Sequence, residues 1–485
     1  MMAFEVSSDV TAFAGAVDGC GGRAFLVDSA VVDGLAGIKP SRIDLVVIGL
    51  DQKTVGELVE KAARSSTGRR ASRSSFVAAG GIPVSVSTGA RGRKRSRSAV
   101  VSLPNVAIGE ALLGRVFSVE TILYDPLTGS VEDPFGGLAD LELGRLSVVD
   151  GTQGHDQTAP LRGASLAARY GLSVDPATAA AMRNVASSDV PAHFVWRALE
   201  EILIDCERPS IGLEALAQMG VLDAVAPGLA ALAGHPQDPV LHPEGDAWVH
   251  TRLVANEARL AGEGLDRTSR LRLSVAALCH DIGKPGVTSL VGDRLVAGGH
   301  ERLGVAITTS LLSRIGGASH LGADGAQVVA ALVRHHLLPV RLYGAGRPLS
   351  PRLARRIARA VDVDLLYRLA LSDGLGRGEP ARTHLAADWF RRSIDKATAK
   401  AGSVPSLVDS PDAVAFGARP GPEAHAVTEA LVTMQNEGTV CDRDSAHRAV
   451  RRLLDGKATD RTVAGRPTRM RPQGRKTLTA NADHD

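Results

Sequence analysis

Aromatic residues make up only 3% of the 485 positions, so cores must be built from Ala, Leu and Val, a composition that favours helices. Cysteine is scarce: Cys20, Cys206, Cys279 and Cys441 stand alone, with no CxxC spacing. That excludes a sequence-signalled zinc finger or redox pair and fits a reducing, cytoplasmic setting. No apolar run approaches the ~20 residues a membrane helix needs. The N-terminus lacks a charged stretch followed by an apolar core, so neither a membrane span nor a secretory signal is expected. A large excess of one charge is also missing. The net charge of +3 does not by itself imply nucleic acid. Its distribution matters more, because Arg91, Arg93, Lys94, Arg95 and Arg97 form one dense run and Arg466, Arg469, Arg471, Arg475 and Lys476 another. The first run is either a contact to nucleic-acid phosphates or a solvated hairpin loop. No aromatic interleaves with its arginines, which argues against single-strand stacking. Hydrophobic content of 44% permits full cores, and the length implies more than one domain.

The richest chemistry lies between Trp248 and Asp373. His250 is followed by Leu278-Cys279-His280-Asp281-Ile282-Gly283-Lys284-Pro285, then by His300, His335, His336 and Asp373. Adjacent His280 and Asp281 offer an imidazole nitrogen and a carboxylate oxygen from one point on the backbone. The apolar run Val275 to Cys279 predicts a buried helix that would hold them still, and Gly283 and Pro285 would end it. Such mixed ligands suit several divalent metals and separate them poorly.

The order His…His-Asp…Asp resembles the HD superfamily of metal-dependent phosphohydrolases. The resemblance implies that His250, His280, Asp281 and Asp373 hold one divalent ion, with Ni, Mn, Co, Zn, Fe and Mg all open. His300 and His336 would hold a second ion or the scissile phosphate. His336 is preferred to His335 because His336-Leu337-Leu338-Pro339 matches the family's His-x-x-Pro. Asp281 and Lys284 would act in catalysis. Lys284 and Arg377 would neutralise phosphate, Arg377 sharing a helical face with Asp373 four residues before it.

Towards the N-terminus, Arg23-Ala24-Phe25-Leu26-Val27 and Ile43-Asp44-Leu45-Val46-Val47-Ile48 read as strands, and Val84 to Ser87 as a third. Thr54 to Ala63 reads as an amphipathic helix. Leu123-Tyr124-Asp125-Pro126-Leu127-Thr128-Gly129 and Glu132-Asp133-Pro134-Phe135-Gly136-Gly137 follow, then Leu166-Ala167-Ala168-Arg169-Tyr170-Gly171 and His242-Pro243-Glu244-Gly245-Asp246. These motifs, in this order, resemble the CCA-adding tRNA nucleotidyltransferases and bacterial poly(A) polymerases, in members that carry an HD domain. The resemblance implies an α+β fold: a small mixed-sheet nucleotidyltransferase-like head, then a mostly helical neck, body, HD domain and tail. The expected divisions are 1–150 for the head, 151–240 for neck and body, and 241–385 for the HD domain. A helical C-terminal region follows at 386–455 and a disordered basic tail at 456–485.

The head departs from its family's pattern. The Asp-x-Asp strand reads Arg42-Ile43-Asp44, and the glycine-rich phosphate loop reads Asp28-Ser29-Ala30-Val31-Val32-Asp33. The third carboxylate falls on Ser85. The family's Arg-Arg-Asp-Phe-Thr-x-Asn falls on Gly114 to Glu120, and the base-reading Asp-x-x-Arg keeps Asp156 but has Ala159 for its arginine. These losses lead to the expectation of a degenerate transferase site around Asp33, Arg42, Asp44 and Asp156. The working chemistry would then be HD-type hydrolysis of a nucleotide or RNA phosphate ester, with tRNA as a further partner. Two rival readings are an active CCA-adding or A-adding transferase, its acids supplied by Asp51, Glu57 or Glu110, and a non-catalytic RNA-binding scaffold.

Overall fold

A computed structural model describes residues 6–40, 43–65, 75–77, 83–87, 112, 115–149, 157–378, 380–399, 407–436, 439–440 and 442–463. Arg42, Asp156, Glu110 and both basic runs lie outside the described residues. The chain divides into two units, 1–346 with 361–391, and 347–360 with 392–485.

The first unit begins with a six-stranded sheet. Its strands are β1 Arg23–Val27, β2 Ile43–Ile48, β3 Ser75–Val77, β4 Pro83–Ser87, β5 Leu123–Tyr124 and β6 Val131–Glu132. They lie in the order β3-β4-β2-β1-β5-β6. β2 and β4 run parallel and the other pairs antiparallel, so the sheet is mixed. Alternation along β1 and β2 covers both faces. Ala24, Leu26, Ile43, Leu45 and Val47 pack on helices α1 (Ser8–Asp18) and α3 (Gln52–Ser65), while Phe25, Val27 and Val46 meet Leu112 and Leu123 on the other side. Asp44 shares the second face with Val46 by the same two-residue period. Helix α2 (Ser29–Leu35) leaves the end of β1 directly.

The neck helix α4 (Ala159–Tyr170) begins with Pro160 in its first turn and ends at Gly171, which is left-handed at φ 70°. It lies against the head at Gly163, where a Cβ would stand 2.5 Å from the Phe117 ring. Phe117 is fully buried and cannot swing away. Gly163→Ala is therefore expected to destabilise the chain by about 1–3 kcal/mol, read as a lower midpoint in urea with unchanged slope.

Helix α5 (Pro209–Gln218) packs on α4, and five later helices build the site described below. They are α6 Ala247–Ala261, α7 Arg267–Cys279, α8 His300–Arg314, α9 Gly325–His335 and α10 Val363–Gly376. A short exposed hairpin, Ser289–Val291 against Arg294–Val296, interrupts them. In the second unit, helices Ser410–Ala415, Pro422–Asn436 and Arg443–Val463 enclose their own core of Val408, Ala413, Val427, Leu431 and Val450. The architecture is α+β, a small mixed-sheet head followed by helices, as the motifs led us to expect. No helix among the described residues is long and apolar enough to cross a membrane.

Candidate metal centre and transferase face

Each ligand candidate of the centre is placed by a helix end or a helix face. Asp246 caps α6 by accepting from the Val249 amide at 2.8 Å, which puts His250 in the first turn. Asp266 caps α7 through the Thr268 and Ser269 amides, and the apolar stretch Leu273 to Cys279 buries that helix. His280 and Asp281 emerge where α7 ends. Gly283 allows α8 to come close, since a Cβ there would stand 2.2 Å from the His300 carbonyl oxygen.

Four imidazoles are oriented alike. Nδ1 of His280, His300 and His336 donates to the carbonyls of Ala277, Ala297 and Val333 at 2.7, 2.7 and 2.8 Å. His250 Nδ1 lies 2.7 Å from Glu244 Oε1. Carbonyl oxygens only accept, so Nδ1 of His280, His300 and His336 carries the hydrogen and their Nε2 presents a lone pair, while His250 Nε2 lies 3.0 Å from Asp373 Oδ1. These lone pairs converge. His250 Nε2 and His280 Nε2 are 3.3 Å apart, and His300 Nε2 and His336 Nε2 are 3.2 Å apart. Two acceptors at such distances need a shared cation or proton. This pattern, Nε2 inward with Nδ1 anchored outward, is how proteins hold metal-ligating histidines.

Asp281 stands between the two pairs. Its Oδ2 lies 3.2 Å from His280 Nε2 and 3.7 Å from His250 Nε2, and its Oδ1 lies 3.2 Å from His300 Nε2. Asp373 Oδ1, from α10, lies 3.0 Å from His250 Nε2 and 3.8 Å from His280 Nε2. Two donor groups result, one of His250, His280 and Asp281 and one of Asp281, His300 and His336, all of them buried. His335 is half-buried and stands outside both groups.

The surrounding charges keep the acids ionised. Burial works to raise the Asp281 carboxyl, but His280 and Lys284 outweigh it and hold it well below the usual carboxylate range. Burial and Arg377 oppose each other in the same way at Asp373, and Arg377 prevails. Burial also drives His336 down to about 3, keeping that imidazole neutral. Lys284 Nζ lies 2.6 Å from Asp281 Oδ2, and Arg377 Nη2 grips both Asp373 oxygens at 2.7 and 2.8 Å. Both cations also line a cavity of about 540 Å³, with Asp281, His300, Arg294 and Arg341.

Sequence reasoning passed over His242 and Glu244 as ligand-supporting groups. Glu244 joins His242 Nδ1 at 2.9 Å to His250, and the His-Pro-Glu-Gly-Asp motif was the available signal. Burial raises the Glu244 carboxyl, yet its hydrogen bonds to His242 and His250 bring it down to about 2.

A second acidic region lies on the sheet. Asp44 on β2 pairs in register with Val27, the residue before Asp28. Arg115, 8% exposed, donates Nε and Nη2 to Asp28 at 2.9 and 3.0 Å and also feels the charges of Glu120 and Asp44. Asp33, the last residue of the stretch that replaces the phosphate loop, lies on α2. It is 1% exposed and clasped by Arg169 and Tyr170 of the neck. The spare acids considered for the transferase do not stand here either: Asp51 caps α3 through the Thr54 amide at 2.8 Å, and Glu57 is exposed on that helix.

A nucleotidyltransferase-type head joined through a helical neck to an HD domain defines the class. The HD domain family model matches residues 248–366. A Multifunctional CCA protein from Xanthomonas campestris pv. campestris is 34% identical over 331 residues, 66% of this chain and 76% of that protein. One from Stenotrophomonas maltophilia is 32% identical over 306 residues, 59% of this chain and 72% of that protein. In fold, the chain is similar to the Thermotoga maritima CCA-adding enzyme solved with tRNA, with TM-score 0.54, 16% identity and 93% and 96% of the two chains covered. It is likewise similar to a CCA-adding enzyme solved with CTP, with TM-score 0.57, 14% identity and the same coverage. The chain belongs to the CCA tRNA nucleotidyltransferase family, as a member with an HD domain.

This membership corrects the expectation of a lapsed transferase with HD hydrolysis as the working chemistry. Relatives at 34% identity that cover most of their own length bear the CCA-protein name. The physical reason for the misreading is visible in the head. Comparing motifs position by position counts the carboxylates lost at Arg42 and Ser85. It cannot see that Asp28, Asp44 and Glu120, from three separate segments, gather around Arg115.

Proposed function

We propose that this chain is a tRNA nucleotidyltransferase that adds cytidylate and adenylate to the 3′ end of tRNA, using CTP and ATP. The observation that carries this reading is the 34% identity to a Multifunctional CCA protein over 76% of that protein's length. The head supplies groups suited to the task. Asp44 is the carboxylate we assign to a magnesium ion, which when bound would align the 3′-hydroxyl and the triphosphate. Arg115, fixed by Asp28, sets a buried positive charge beside it. Neutralised in this way, Asp28 no longer opposes a triphosphate. The test is incubation with tRNA lacking its 3′ end, labelled CTP or ATP, and magnesium. Stepwise extension supports the reading, and its absence removes it.

The HD centre is suited to a divalent ion, because four Nε2 atoms and two carboxylates meet in one cleft. We assign His250, His280, Asp281 and Asp373 to one divalent ion, and His300 and His336 to a second ion or to phosphate. These donors do not select among Ni, Mn, Co, Zn, Fe and Mg. Such an ion would supply Lewis acidity and a bound water of lowered pKa. Lys284 and Arg377 face the cavity and place positive charge where phosphate would enter. Glu244→Gln removes the carboxylate behind His250 and is expected to weaken metal affinity by about 10–100-fold, measured by competition with a chelating dye.

A further inference from the structure

The turn from β1 into α2 is strained. Asp28 has φ 56° and ψ −142°, the one positive-φ residue other than glycine among the described residues. A side chain in such a conformation is strained and persists only where its surroundings over-determine it. Glycine would remove that strain, yet the chain has aspartate there. Two sets of contacts supply the restraint, one at each end of α2. At the start, Arg115 holds both Asp28 oxygens. At the fifth helical residue, Asp33 receives Arg169 Nε and Nη2, each at 2.8 Å, and the Tyr170 hydroxyl at 2.8 Å.

The second set of contacts comes from the neck, 136 residues further along the chain. The same neck helix reaches the head at another point, where Arg162 Nε lies 2.9 Å from Glu120 Oε1. Arg162 and Arg169 are seven residues apart, so they lie on one helical face about 10.5 Å from each other. Glu120 in turn acts on Arg115. A circuit of charged groups and two helices therefore closes across the joint. It runs from Asp28 to Arg115, Glu120 and Arg162, along α4 to Arg169, and through Asp33 and α2 back to Asp28. Asp44 lies beside this circuit, on the strand that pairs with β1.

We propose that Arg169, Tyr170 and Arg162 of the neck are positioning residues for nucleotidyl transfer, holding the strained Asp28 turn and Arg115 in place beside Asp44. This inference rests on the transferase reading given above. None of the three neck residues touches the reacting atoms. They act through α2 and Glu120, and their effect falls on the geometry of the bound nucleoside triphosphate. Misplacement of a reacting group by about 1 Å costs on the order of 100-fold in rate, so loosening this joint should lower kcat more than it raises KM.

The experiment uses the full chain, tRNA lacking its 3′ end, and CTP and ATP in turn. Arg169→Lys keeps the charge but loses the two-pronged grip, and Tyr170→Phe removes one hydrogen bond with little change in packing. Arg169→Lys is expected to lower kcat by about 10-fold or more with less than about 3-fold change in KM. Tyr170→Phe should act in the same direction more weakly. Asp28→Asn, which keeps the shape of the side chain but loses the charge, completes a double-mutant cycle. The double variant Asp28→Asn/Arg169→Lys should lose little more kcat than the worse single variant, because both changes release the same turn. Additive losses, or wild-type kcat in both neck variants, would overturn the inference. A fall in melting temperature with unchanged kcat per folded molecule would also overturn it, by showing the joint to be structural only. If the wild-type chain extends no tRNA, the transferase reading itself falls, and this inference with it.

Discussion

Asp281→Ala should empty the HD centre of bound metal while leaving the fold largely intact. One Asp281 oxygen faces His280 and His250, and the other faces His300. Removing this carboxylate therefore takes a donor from both groups and leaves Lys284, now without its partner at 2.6 Å, as a repelling charge beside the site. Metal content by mass spectrometry should fall from at least one ion per chain to near zero, and helical circular dichroism should change little. Retention also depends on pH. The ligand imidazoles must be neutral to bind a metal. In the metal-free chain burial lowers His280 and His300, but the neighbouring carboxylates outweigh it and raise both above their ordinary value. Protons held there compete with the ion, so affinity should climb as pH rises through those raised values, above ~6.5. A metal content unchanged in Asp281→Ala would mean that the ion sits elsewhere.

Asp44→Ala carries the second large effect. Asp44 is the remaining carboxylate of the family's Asp-x-Asp strand, and the register sets it beside the Asp28 turn. Loss of a metal-aligning carboxylate removes both charge stabilisation and orientation of the attacking hydroxyl, so nucleotide addition should drop by about 1000-fold or more. The change lies on the half-buried side of β2, and Leu45 and Val47 keep their packing on the opposite face. The melting temperature should therefore move far less than the rate.

The HD residues were legible because their chemistry is written in residue types. Four histidines and two aspartates in a set order point to one site even when more than 120 residues separate His250 from Asp373. Their supports were harder to read. Glu244 acts through its contacts to His242 and His250, and Lys284, besides facing the cavity, holds Asp281. The sheet strands followed from β-branched alternation in Ile43 to Ile48. The head's electrostatics did not, because they depend on which distant segments meet. Asp33 resembled a leftover of a phosphate loop, yet it is the buried anchor of the neck. Arg115 sat in a motif that had lost its neighbours, and only the folded chain brings Asp28, Glu120 and Asp44 around it.

The account holds that one chain carries transfer in its head and a separate metal centre in its HD domain. Nucleotide addition to tRNA lacking its 3′ end, measured side by side for the wild type, Asp44→Ala and Asp281→Ala, tests this most directly. The wild type and Asp281→Ala should both extend the tRNA with CTP and ATP, and Asp44→Ala should not. A wild type that adds neither nucleotide, or an Asp44→Ala variant that extends as well as the wild type, would contradict the account.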